Sequence, residues 1–186
     1  DGNIIHVEGD VNPLRDIEII ETELIYADIT QLEKKIDRLK KQSKASKEAA
    51  ASLVIAEEVF KHLEELQPVK TFDNKENEIF IALDKELRFL SNKDVIYGAN
   101  VDEDSLADGG NKFVDLVKEH ASNVNADVIL LCAKIEEELV GLEDEEATEF
   151  LADLGVSESG LEQIIHKAFD KLGLQSYFTA GKIEVR

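Results

Sequence analysis

Two polar segments in this sequence leave apolar runs abruptly. Asn100-Val101-Asp102-Glu103 closes the run Val95-Ile96-Tyr97-Gly98-Ala99, and Cys132-Ala133-Lys134 closes the run that begins at Asp127. In an open parallel sheet, ligands sit outside the carboxyl ends of the strands, so two neighbouring strand exits can converge on one ligand. An Asn side chain donates and accepts hydrogen bonds at once, which suits a purine edge, adenine N6/N7 or guanine O6/N7. As a bare pattern N-x-x-E is common, and its place at a strand end is what gives it weight. The plain alternative is that Asn100 and Glu103 form a turn and cap the helix ahead, and periodicity alone favours that reading. Asn92-Lys93-Asp94-Val95 resembles a guanine-binding N-K-x-D motif but ends in Val and precedes its strand, so it is set aside.

A second chemistry lies in residues 34–47. Lys34, Lys35, Arg38, Lys40, Lys41, Lys44 and Lys47 stand against Asp37 alone, a local charge of +6 in a chain of −20, so the remainder carries −26. Such a cluster can reach nucleic-acid phosphate while the acidic body is held off. No aromatic residue is interleaved, so contact would be with backbone phosphates and carry no DNA sequence specificity. A solvated helix tip explains the same residues equally well.

Other charged groups suggest less. The runs Glu136-Glu137-Glu138 and Glu143-Asp144-Glu145-Glu146 lack the D-x-D-x-D-G frame of an oxygen-ligand loop and read as solvated helix faces. His6, His62, His120 and His166 are widely separated, with no H-x-x-x-H pair, so no metal site is expected. One cysteine, Cys132, excludes a disulfide framework and reads as structural. No G-x-x-x-x-G-K-[ST] phosphate loop occurs, nor a D-x-x-G placed to hold Mg²⁺ and a γ-phosphate, so no catalytic residue is assigned.

The elements that must position these groups follow from periodicity. The chain has 186 residues, 43% of them hydrophobic, enough for a real core despite 33% charged residues. From Pro13 to about Lys44 the pattern is helical, with Ile25, Ile29, Leu32, Ile36 and Leu39 at alternating steps of four and three. Ala49, Leu53, Ala56, Phe60 and Leu63 repeat that stripe after a polar turn, predicting an antiparallel helical hairpin that Gln67-Pro68 ends. Beyond it, a helix at about Lys75–Leu90 leads to the first apolar strand, Val95–Asn100. An acidic loop, a helix at Lys112–Ala121 and a strand at Asp127–Cys132 come next. Helices at about Ile135–Leu139, Asp144–Leu154 and Ser159–Leu172 follow, then a terminal strand. This is α/β grammar with a parallel sheet, and strands without alternation are expected to be covered on both faces. The apolar runs are too short to span a bilayer and no secretory signal opens the chain, so no membrane partner and a cytoplasmic location are expected. No Met begins the sequence and both ends fall on strand-like segments, which reads as a piece of something larger.

Asn3-Ile4-Ile5-His6-Val7-Glu8-Gly9, Asn12-Pro13, Arg15–Ile20 and Thr22-Glu23-Leu24 resemble the YchF family of Obg-related P-loop NTPases. So do Ala99–Asp104, Phe150–Gly155, Tyr177–Gly181 and Glu184-Val185-Arg186, in order along nearly the whole chain. The resemblance implies a parallel-sheet P-loop NTPase G domain with an inserted coiled-coil hairpin. G-domain segments would occupy residues 1–20 and 69–172, the insertion 21–68, and the start of a TGS domain 173–186. It implies a slow, Mg²⁺-dependent hydrolase that accepts ATP as well as or better than GTP, associated with the ribosome or its RNA and with translation. Asn100 would read the base edge, Val101 and Ala133 would supply backbone contacts, and Cys132 stands where the family's base loop usually has Ser. Glu103 replaces the Asp that accepts from guanine N1–H and the 2-amino group, relaxing base choice. The Mg²⁺ ligands and phosphate loop are expected in a missing N-terminal part. A nucleotide-independent ribosome adaptor acting through the basic tip is the alternative.

Overall fold

The computed structural model describes residues 11–177; the first alternating segment, His6 and the terminal strand lie outside them. The chain divides into two compact units, one at Leu14–Lys93 and an α/β unit from Asp94 onward.

In the first unit, α1 (Pro13–Gln42) places Pro13 in its first turn, where its missing N–H costs no hydrogen bond, and Lys40 and Lys41 in its last, where cations complement the helix dipole. Ile25, Leu32, Ile36 and Leu39 are buried and Ile29 half-buried, as the stripe predicts. After a tight turn, the Ser46 hydroxyl accepts from Ala49 N–H at 3.2 Å and starts α2 (Lys47–Glu64). The buried face of α2 centres on Ile55, Ala56, Val59 and Leu63, with Ala49, Leu53 and Phe60 half-covered. It is broader than the predicted seam because the same core also takes in Val69, Phe72, Phe80, Leu83 and Phe89 from the chain after Pro68. Leu66, at φ +56°, turns the chain out of α2 just before Pro68.

The unit therefore runs past the hairpin, beyond the expected boundary at residue 68, through α3 (Glu78–Leu87) to Lys93. One buried carboxylate, Asp28 of α1, holds that extension. It is 0% exposed and accepts from Leu90 N–H (2.8 Å), Ser91 N–H (2.8 Å) and the Ser91 hydroxyl (2.7 Å). The Ser91 oxygen in turn accepts from Val69 N–H at 3.0 Å, so three chain segments share one network. His62 belongs to the same unit, bonded near Pro68 O and Thr71 Oγ1 and set edge-on to Phe72.

In the α/β unit, β1 (Ile96–Asn100) and β2 (Asp127–Leu131) are parallel, in register from Ile96 opposite Asp127 to Asn100 opposite Leu131. Full burial of both strands is not observed: Ile129 alone is buried among their residues, because the described sheet is only two strands wide. The expected acidic loop after β1 is in part a helix, α4 (Glu103–Ala107). Asp102 caps it, its Oδ1 accepting from Ser105 N–H at 2.8 Å, and acidic residues in the first turn favour that end. Helix α5 (Lys112–Asn123) has its own cap, Asn111, which accepts from Phe113 and Val114 N–H.

Helices α6 (Ala133–Leu139), α7 (Asp144–Asp153) and α8 (Gly160–Lys171) complete the unit. The acidic runs have structural partners. Glu136 accepts from Gly160 N–H at 2.6 Å at the start of α8, and Glu143 with Glu146 forms a capping box on α7. Gly160 is required where it stands, since a Cβ there would lie 2.6 Å from the Leu131 Cβ. The Gln163 amide docks α8 on β2, bonded to both Leu130 N–H and Leu130 O. Lys171 bonds Asp127 at 3.1 Å and, with Lys167, holds the Asp127 carboxyl below its usual range. Asp170-Lys171-Leu172-Gly173 has D-x-x-G spacing but is merely the end of α8, with Gly173 at φ +61°.

Candidate functional site

The parallel register puts Asn100 beside Leu131, so the chain leaves β1 and β2 at the same edge of the sheet. The two exits line one cleft of about 210 Å³, formed by Asn100, Val101, Asp102, Glu103, Cys132, Ala133 and Lys134. All five residues singled out for base contact, Asn100, Val101, Glu103, Cys132 and Ala133, are brought together there.

Their hydrogen bonds are specific. Ala133 N–H donates to Asn100 Oδ1 at 3.0 Å, and Val101 N–H donates to Leu131 O at 2.9 Å. A backbone N–H can only donate, so the Asn100 atom facing Ala133 must be its oxygen, which fixes the amide's orientation. Neither helix ahead is capped by Asn100 or Glu103, since Asp102 and Asn111 take those roles. The capping alternative therefore does not account for Asn100. Cys132 is a buried free thiol packed with Leu106, Ile135 and Leu151, and it makes no capping bond to α6.

Two partners of the cleft carboxylates were not legible in sequence. Lys134 Nζ pairs with Glu103 Oε1 at 2.5 Å, and that contact raises the Lys134 pKa above its ordinary value. Hydrogen bonds from Ser105 hold the Asp102 carboxyl below the usual carboxylate range. Only the spacing of Glu103 and Lys134 at facing strand exits could have suggested the pair, and spacing alone does not set a side chain's direction.

The basic residues of the first unit differ in their surroundings. Lys34, Arg38, Lys41, Lys44 and Lys47 are exposed. Lys35 is 20% exposed and bonded to both Glu86 carboxylate oxygens, and Lys40 lies 3.7 Å from Glu57. Six of the seven thus present exposed charge, Lys40 among them, while Lys35 anchors α3. Among the described residues no helix is long and apolar enough to cross a membrane.

A parallel strand pair with flanking helices, its strand exits converging on one cleft, is the architecture of part of a P-loop NTPase G domain. No family model matches the chain. The ribosome-binding ATPase YchF of Bacillus subtilis is 44% identical over the whole chain, and its Escherichia coli O157:H7 counterpart 40% identical over 99% of it. The structure of the Schizosaccharomyces pombe YchF GTPase superposes on all of the chain with a TM-score of 0.82 at 32% identity. The chain belongs to the YchF family, and it spans about half the length of these relatives.

Proposed function

We propose that the strand-end cleft reads the base of a purine nucleoside triphosphate. The protein is then a slow NTPase that takes ATP at least as readily as GTP, in the cytoplasm and in association with the ribosome. The bond from Ala133 N–H to Asn100 Oδ1 carries this reading. An amide held by its oxygen offers Nδ2 to an acceptor, and N7 is the acceptor both purines share. With the Val101 N–H engaged in strand pairing, its carbonyl is the backbone group that would accept from the adenine 6-amino group. Relatives named as a ribosome-binding ATPase and as a GTPase support the same class of activity.

The residues present suit the base and not the metal. Among the described residues no group of three or more His, Cys, Asp or Glu side chains is placed to hold an ion. Ligands for Mg²⁺, which would neutralise developing phosphate charge, are expected elsewhere in the full-length protein. Residues 21–68 are read as a coiled-coil insertion between segments of the G domain.

Glu103 tests the base assignment. Shortening it with Glu103→Asp restores the side chain that accepts from guanine N1–H and the 2-amino group. In the full-length protein the GTP-to-ATP affinity ratio should rise about tenfold, in line with the discrimination a well-placed polar group provides. An unchanged ratio in equilibrium titrations removes Glu103 from base choice.

The six exposed cations within residues 34–47 favour a second surface, for ribosomal RNA phosphate. Lys40→Glu, Lys41→Glu and Lys44→Glu together reverse the tip's charge and should reduce ribosome co-sedimentation by more than tenfold at low salt. Wild-type binding should also weaken steeply as salt rises. Because Lys40 faces Glu57, circular dichroism of the variant must match wild type. Unchanged sedimentation would exclude the tip. Binding that depends on the tip but ignores ATP would favour the adaptor alternative.

A further inference from the structure

The cleft is lined by two carboxylates and one ammonium, and all three already have partners. Asp102 is occupied by Ser105 as a helix cap, and Glu103 is paired with Lys134. We propose that Lys134 is a specificity-determining residue: by holding the Glu103 carboxylate it denies guanine the acceptor that its N1–H and 2-amino group require, and leaves adenine unaffected. The inference rests on the purine-site reading above and adds a residue from the second strand exit to base choice.

Guanine and Lys134 compete for the same carboxylate. Guanine buried against the cleft without an acceptor leaves two donors unsatisfied, a penalty adenine does not incur because it has no donor at those positions. To avoid it, guanine must draw Glu103 away from an ammonium, and a charge-assisted bond between ions outlasts a bond to a neutral ring donor. Discrimination of this kind works against the wrong ligand and adds nothing to the right one. Glu103 lies in the first turn of α4 and Lys134 in the first turn of α6, so both ends of the pair are carried on helices rather than loose loop. Lys134 and Glu103 are 67% and 45% exposed, so water and salt weaken the pair and its effect is a modest one.

The test is equilibrium titration of ATP and GTP into the full-length protein as wild type, Lys134→Met, Lys134→Arg, Glu103→Gln and the double variant Lys134→Met/Glu103→Gln. Lys134→Met should raise the GTP-to-ATP affinity ratio by about two- to fivefold, the scale of an exposed ion pair. Lys134→Arg should keep the wild-type ratio, and the double variant should lose the gain because a Gln amide has one acceptor oxygen and a donor NH₂, and so cannot accept from both guanine donors as a carboxylate can. The wild-type ratio should also drift toward GTP as salt rises, while that of Lys134→Met stays flat. If Lys134→Met keeps the wild-type ratio while Asn100→Ala weakens both purines, the ion pair plays no part and the purine site stands. If Asn100→Ala also leaves both affinities unchanged, the purine-site reading itself fails and this inference fails with it.

Discussion

Replacing Asp28 by Ala should destabilise the hairpin unit by about 3 kcal/mol, because it takes from three hydrogen-bond donors the buried acceptor they share. The donors are Leu90 N–H, Ser91 N–H and the Ser91 hydroxyl, all within 2.8 Å of a carboxylate that is fully buried. The loss should spread, since the Ser91 oxygen also satisfies Val69 N–H. On the scale of a domain this size the melting temperature of the unit should fall by roughly 10–20 °C, followed by circular dichroism at 222 nm. Asp28→Asn keeps one acceptor oxygen and should cost less than Asp28→Ala. A melt within two degrees or so of wild type for Asp28→Ala would show that the network contributes little.

Asn100→Ala should weaken ATP and GTP alike, by about tenfold or more, because the amide is read here as contacting N7, which both purines carry. The equality of the two losses distinguishes Asn100 from Glu103 and Lys134, whose substitutions should change the ratio. Truncation also leaves Ala133 N–H without the Asn100 oxygen it meets at 3.0 Å. That N–H is at an exposed residue and water can replace the lost acceptor, so the folded state should persist with an unchanged melt.

Much of this arrangement was legible before the structure. The steps of four and three from Ile25 to Leu39 gave the buried face of α1, because a long, regular helix shows its period without tertiary help. Pro68 marked the end of the hairpin for an equally local reason. The strand exits at Asn100 and Cys132 were placed by apolar runs that stop at polar residues, and parallel topology then forced them together. The missed features depend on groups far apart in sequence. Asp28 stands on the apolar side of α1, sixty-odd residues from its partners, and nothing local distinguishes it from a misplaced surface charge. The pairing of Glu103 with Lys134 likewise joins side chains whose directions are set by α4 and α6. Helix α4 was missed because its five residues are too few to show a period, although Asp102 ahead of Ser105 is a capping signal.

Recognition of a purine by the cleft between the two strand exits is open to direct measurement. Calorimetric titration of ATP, GTP and CTP, each with Mg²⁺, into full-length wild-type and Asn100→Ala protein tests it most directly. Wild-type affinity for ATP should be at least equal to that for GTP and well above that for CTP, which has no N7, and Asn100→Ala should lose both purine affinities. Equal binding of ATP and CTP, or purine affinities untouched by Asn100→Ala, would contradict it.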